Sequence, residues 1–227
     1  MVAGGTPAGA AGSSLLTGLQ FYYALENVND SSVNALNLTN NGSATFVAGK
    51  VNNCLLLDNT AGKYLSHADA AGYQMGTGSF TICCWVNFTV DENFHLLSFY
   101  GTNGISGYGW KQAGDIFQFY VGDLTQSHSI PQPSGPQNNG AWHLFVATVD
   151  RSLNLATVYT DNVAGTPVDI TDITGSVNAF GGAGFVIGSD DGTTNAKIDE
   201  TGLWNRILTG SEITALWNSG AGTTYPF

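Results

Sequence analysis

A chain of 227 residues with 6 Lys plus Arg against 17 Asp plus Glu carries a net charge of −11. It lacks the cations to neutralise a run of phosphates, which excludes nucleic acid as a partner, and it has no affinity for an anionic membrane surface. Hydrophobic residues make up 43%, enough for one substantial core. Charged residues make up only 10%, far below the ~25% of ordinary soluble domains, so glycine, Asn, Ser and Thr must supply the polar surface, a composition suited to short strands and tight turns.

Residues 1–14 are a low-complexity run of Gly, Ala, Ser and Thr that cannot form a core of its own. They are read as an N-terminal arm, with one domain over 15–227. Any order in the arm must come from contact with another protein chain, a capsid or a sister subunit. The run has neither the basic start nor the Leu-rich middle of a signal peptide. The expectation is therefore a protein made in the cytoplasm and carried outward by an assembly. No apolar stretch approaches the ~20 residues of a membrane span.

Strand signals begin with "LQFYYALE" and continue through "ATFVAG", then "NCLLLDN" and "KYLSHA" around a "TAG" turn. "SFTICCWVNFTV" alternates, with Phe80, Ile82, Cys84, Val86 and Phe88 on one face and Thr81, Cys83, Trp85 and Asn87 on the other. "FHLLSFYG", "DIFQFYVGD", "AWHLFVATVDR", "LATVYTDN" and "GFVIGS" extend the series, with turn residues in each gap. Residues 101–114 and 124–140 read as long loops, and the prolines of the second bar it from a central strand.

Near the end, Thr209 and Glu212 have the spacing of a capping box, and Leu208 and Ile213 that of a hydrophobic staple. Ile213, Leu216 and Trp217 share one apolar face, and Gly220 suits the left-handed stop. So short a helix must bury that face, and it is expected as a lid over one end of a sandwich. Cys54, Cys83 and Cys84 read as buried free thiols, with a Cys54 bridge to either neighbour as the alternative. No Cys or His pair has zinc-ligand spacing.

"GLQFYYALENVNDSS", "FTICCWVN", "AWHLFVATVD", "LATVYTDN" and "FVIGSDDGTTNAKIDETGLWNRILTGSEITALWNSG" occur in the order found in the laminin-G-like, concanavalin A-like family, which the chain resembles over about residues 15–225. The resemblance implies an all-β fold: a jelly-roll sandwich of two antiparallel sheets with one short C-terminal helix. The family is mostly non-catalytic, made up of lectins, adhesion modules and appended binding domains.

An enzyme of this superfamily would be a glycosidase, which needs two carboxyl groups flanking the bond. No acid-x-acid pair, the spacing that puts two acids on one face of a strand, occurs anywhere in the chain. For calcium, the resemblance brings "ENVND" and "IDE" together. It nominates Asn29, Asp30 and Asp199 as ligands, with Glu26 and Glu200 as weaker choices; the competing reading has Asp199 and Glu200 bonded to backbone or to Arg206. For sugar, an exposed aromatic platform is required. Tyr108 and Trp110 of the 101–114 loop are the candidates, against the reading that Trp110 plugs the sandwich.

The expected function is display and binding without catalysis, by a phage virion surface protein (capsid decoration or fibre) that faces solvent and holds surface glycans. The alternatives are a carbohydrate-binding or adhesion domain of a bacterial surface protein, extracellular in location, and a divergent glycoside hydrolase.

Overall fold

The structure, a computed structural model, describes residues 14–89, 93–114, 116–133, 135–188 and 194–227. The expected arm lies outside the described residues apart from Ser14. In chain order the strands are β1 (Leu19–Tyr23), β2 (Thr39–Asn41), β3 (Thr45–Ala48), β4 (Asn53–Asp58), β5 (Tyr64–His67), β6 (Phe80–Asn87), β7 (Phe94–Tyr100) and β8 (Gly107–Ala113). They continue as β9 (Ile116–Gly122), β10 (Ser127–Pro131), β11 (His143–Asp150), β12 (Leu155–Thr160), β13 (Val163–Ala164), β14 (Val168–Asp169), β15 (Phe185–Gly188) and β16 (Asn195–Trp204), followed by helix α1 (Gly210–Trp217).

The strands form two sheets, and the pairings are antiparallel. Sheet A runs β13-β12-β11-β6-β16-β4-β3, with β1 also on β16 and β14 on β12. Sheet B runs β10-β9-β8-β7-β15-β5-β2. This is the two-sheet antiparallel sandwich that the resemblance implies. Among the described residues no helix is long and apolar enough to cross a membrane.

The main core fills the space between the sheets. Phe80, Ile82, Cys84 and Val86 of β6 face into it, as their alternation requires. Aromatic rings dominate: Trp110 lies flat on Phe117, with centroids 5.4 Å apart, and Tyr73 lies flat on Phe185 at 4.9 Å. All three cysteines are free and buried.

A second, smaller core lies on the opposite face of sheet A, where Cys83 and Trp85 of β6 meet Leu144 and Val146 of β11 and Ile213 and Leu216 of α1. The helix therefore covers the outer face of sheet A and does not close an end of the sandwich. The reason is that β6 is apolar on both faces, so its Trp85 side needs a cover. Trp217 is half-buried and stacks on Trp85, with centroids 5.2 Å apart and planes 13° apart.

Both halves of the capping box form: Thr209 Oγ1 accepts from Glu212 N at 3.3 Å, and Glu212 Oε2 accepts from Thr209 N at 2.8 Å. Arg206 donates from both terminal nitrogens to Glu212, at 2.8 and 2.7 Å. The same guanidinium donates to the Thr17 and Ser14 carbonyls, and Trp204 Nε1 donates to the Leu15 carbonyl at 2.6 Å. Arg206 beside Glu212 holds its carboxyl down to about 2.

Both loop expectations need correction. Residues 107–113 are strand β8, because Tyr108, Trp110 and Gln112 alternate inward. The proline stretch contains the edge strand β10, which ends at Pro131, a place where a missing N–H costs no ladder bond.

Leu216→Ala, which empties a buried site between helix and sheet, is expected to cost roughly 2–4 kcal/mol. Trp217→Ala, at a half-buried stack, should cost about 1–3 kcal/mol, below the range for a fully buried Trp. Urea denaturation measures both; no loss of stability in either variant would show that α1 does not cover sheet A.

Candidate functional site

Among the described residues, the outer face of sheet B carries a broad recess. Strand pairing aligns Ser66 of β5, Val186 of β15, Ser98 of β7, Gly109 of β8 and Tyr120 of β9 in one row. Their sequence neighbours Leu65, Ile187, Phe99, Trp110 and Phe119 point the other way and are fully buried. Period-two alternation over a packed inner face thus fixes what the outer face presents.

Around this row lies a cleft of about 500 Å³, lined by Tyr64, Ser66, His67, Ala68, His95, Ser98, Val186 and two glycines. Gly188 has φ +91°, and a Cβ on Gly184 would stand 2.1 Å from the His67 carbonyl oxygen. Neither position readily accepts a side chain, so these two stay glycine beside Ser66, Val186 and Ser98. Tyr64 is half-buried and His95 is exposed. A bulge between His95 and Leu97 shifts the β7–β8 register at the rim of the cleft. Asn41 Nδ2 donates to Ser66 Oγ at 2.9 Å and fixes that hydroxyl at the edge.

Tyr108 and Trp110, the residues expected to form a sugar platform, do not belong to this site. Both are fully buried between the sheets. Tyr108 Oη donates to the Tyr73 carbonyl at 2.7 Å, and Trp110 packs against Phe117, Phe119 and Phe145. The glycines around them suggested a loop, whereas they are the outward positions of β8, kept small by strand packing. A Cβ on Gly109 would lie 2.3 Å from the Leu97 carbonyl oxygen. Sequence reasoning missed Tyr64, His95 and Ser98, although their outward placement was encoded in the alternation of "KYLSHA" and "FHLLSFY".

The acidic residues nominated for calcium are placed apart in role. Asp30 is buried in the β1–β2 connection, where its carboxylate accepts from Tyr22 N, Ser32 N, Ser32 Oγ and Leu36 N at 2.8–2.9 Å. Asn29 is exposed. Asp199 lies on β16 and accepts from Lys50 N, Val51 N and Glu200 N at 2.9–3.0 Å, which anchors the β3–β4 turn. Its acidic neighbours are Glu26 and Glu200. Glu26 accepts from Asn53 N, and Arg206 pairs with Glu212 rather than with this group. Among the described residues no group of three or more His, Cys, Asp or Glu is placed to hold a metal.

Glu200 is itself unusual. It sits at a bulge where β16 slips against β6, with φ +46°, and its Oε2 is buried without a hydrogen-bond partner. Burial pushes Glu200 up to about 8, with the charge of Asp199 adding to it; burial likewise pushes Asp199 up to about 7 against its three backbone donors.

Between the ordinary carboxylate range and these raised values the folded state holds more protons than the unfolded chain, so stability falls as pH rises. Glu212 acts in the opposite sense, and only below the ordinary Glu range. Thermal stability is therefore expected to peak near pH ~5 and to decline toward pH ~8, by up to ~1.4 kcal/mol per pH unit for each acid. Glu200→Gln should flatten the decline; an alkaline limb of unchanged slope in that variant would contradict the assignment.

No curated protein matches the chain by sequence. Among solved structures, the binding domain of Paraclostridial Mosquitocidal Protein 1 superposes with a TM-score of 0.76 at 16% identity, over 89% of this chain and 52% of that one. The binding domain of botulinum neurotoxin serotype G gives 0.74 at 15% identity, over 89% and 51%. The serotype D ligand-binding domain in complex with N-acetylneuraminic acid gives 0.74 at 12% identity, over 92% and 52%. At these identities the likeness is one of fold, and the chain spans about half the length of each neighbour. The sequence profile of the concanavalin A-like lectin/glucanase superfamily, in its laminin G form, matches residues 59–214, from the β4–β5 turn through most of α1, and the chain belongs to that superfamily.

Proposed function

We propose that this domain is a non-catalytic binding module that holds glycans in the cleft on the outer face of sheet B. The observation that carries the reading is the lining of that cleft: phenol, imidazole and hydroxyl groups from Tyr64, His95, Ser66 and Ser98, beside Val186 and two glycines. Tyrosine offers a sugar ring an apolar face and a polar tip, and serine hydroxyls both donate and accept. The volume falls within the ~300–1,000 Å³ of small-ligand sites. The described residues that line the cleft are Tyr, His, Ser, Ala, Val and Gly, groups that bind a sugar by ring contact and hydrogen bonds. The serotype D ligand-binding domain in complex with N-acetylneuraminic acid, which this chain matches over about half of its length, is consistent with a sugar as the ligand class.

The setting we propose is display on a surface: that of a phage virion, as a capsid decoration or fibre, or alternatively that of a bacterial cell. Residues 1–14 would attach the domain to capsid or sister subunits, and the open face of sheet B would point outward. The support is compositional, since an acidic, Lys- and Arg-poor surface suits a solvent-facing module.

Ser98→Trp places a bulky ring at the centre of the cleft, on an outward position that the core does not use. In glycan-array and calorimetric binding it is expected to weaken binding at least tenfold with little change in melting temperature. Unaltered binding would move the site elsewhere, and no binding by the unsubstituted domain to any glycan would overturn the reading. A calcium ion held by Asn29, Asp30 and Asp199 is a separate proposal: chelator should then lower the melting temperature, since a ligand of the native state stabilises it by mass action. Elemental analysis without metal, together with no chelator effect, would dismiss it.

A further inference from the structure

Beside the main cleft, and sharing His95 with it, lies a smaller recess of about 160 Å³ bounded by His95, Tyr100, Gly104, Lys111 and Tyr120. We propose that this recess is an anion subsite, which selects glycans bearing an acidic sugar residue and seats its carboxylate or sulfate on Lys111 and Tyr100. The inference rests on the glycan reading of the adjoining cleft and deepens it.

Three observations converge on the recess. The first is Lys111. The chain has six Lys plus Arg against 17 acids, yet among the described residues Lys111 makes no salt bridge. Its Nζ stands 5.1 Å from the centroid of the Tyr120 ring, on an outward position of β8. Partial burial draws its proton affinity down, as expected of an ammonium without a counter-charge. An arriving anion would supply that charge and restore the affinity.

The second is Tyr100. Its Oη is buried in the protein and has no hydrogen-bond partner, an uncommon condition for a phenol. An anionic oxygen is the acceptor this donor lacks, and a charge-assisted bond to it is stronger than a neutral one.

The third is the rigidity of the wall. Tyr120 donates through its hydroxyl to the Ile105 carbonyl, which holds the ring in place. Tyr100 meets the Tyr120 ring edge-on at 4.8 Å, and His95 meets Tyr100 edge-on at 5.1 Å. The cation and the phenol are thus held on a preformed aromatic wall. The recess is smaller than ordinary ligand pockets, so it accepts a single sugar residue or its charged substituent, while the larger cleft takes the neighbouring residues. Because the chain as a whole is acidic, long-range attraction does not bring the anion in. Discrimination comes from this one short-range, partly buried contact, which salt screens less than an exposed one.

The test is isothermal titration with three matched oligosaccharides: a neutral one, its uronate counterpart and its sulfated counterpart. The unsubstituted domain is expected to bind at least one acidic form tenfold or more tighter than the neutral one, and the two acidic arms distinguish carboxylate from sulfate. Lys111→Gln should reduce the acidic ligand to the affinity of the neutral one and leave the neutral one unchanged. Tyr100→Phe should weaken only the acidic ligand, severalfold, with its fold checked by melting. Equal affinity for all three ligands, or an acidic preference that survives Lys111→Gln, would overturn the subsite while leaving the glycan reading intact. Failure of all three to bind would overturn the glycan reading on which it rests.

Discussion

Strand β6 is apolar on both faces, and the rest of the architecture follows from having to cover both. One side, Phe80 through Val86, is covered by the opposing sheet. The other, Cys83 and Trp85, would face water if the chain ended at β16, so α1 is recruited to it through Ile213 and Leu216. A helix of eight residues cannot form alone. It is held by a complete capping box and by Arg206, whose guanidinium links Glu212 to the carbonyls of Ser14 and Thr17. The two ends of the domain are thereby joined at one ion pair, and α1 covers the outer side of β6 and β11.

On the outer face of sheet B the aligned row is Ser66, Val186, Ser98, Gly109 and Tyr120. Its serines and glycine leave a recess, walled at the margins by Tyr64, Tyr100 and Tyr120, in which we place the proposed ligand. Across the molecule, the buried acids Asp199 and Glu200 do different work. Asp199 ties the β3–β4 turn to β16 through two backbone donors, and the bulge at Glu200 carries a carboxyl into the interior at a cost that grows with pH. They are part of the scaffold of sheet A, and the cleft on sheet B has no use for them.

Much of this was legible in the sequence because it depends on local pattern. The alternation of residues 80–88 assigned each side chain to the face it occupies, and the Thr209–Glu212 spacing marked a helix start that forms both of its bonds. The ordered blocks of the resemblance led to the superfamily whose profile matches. The errors came where local signals carry less information. Glycine-rich "GYGWKQA" read as a loop because Gly is a turn residue, although its Tyr, Trp and Gln keep strand spacing. Trp110 on such a loop is a candidate sugar platform, against the reading in which it plugs the sandwich; it is fully buried, inside β8.

What the sequence by itself determined is the set of elements, their inward faces and the family, since hydrophobic period and capping chemistry act between residues a few positions apart. What only the tertiary structure decided is which outward faces remain open and which distant residues meet on them. Ser66, Ser98 and Val186 become neighbours through the order β5-β15-β7, in which the middle strand comes from far along the chain. Tyr100, Lys111 and Tyr120 become one recess through the register of three antiparallel strands. Strand order and register are set by the packing of both cores together, a long-range constraint that no window of sequence contains.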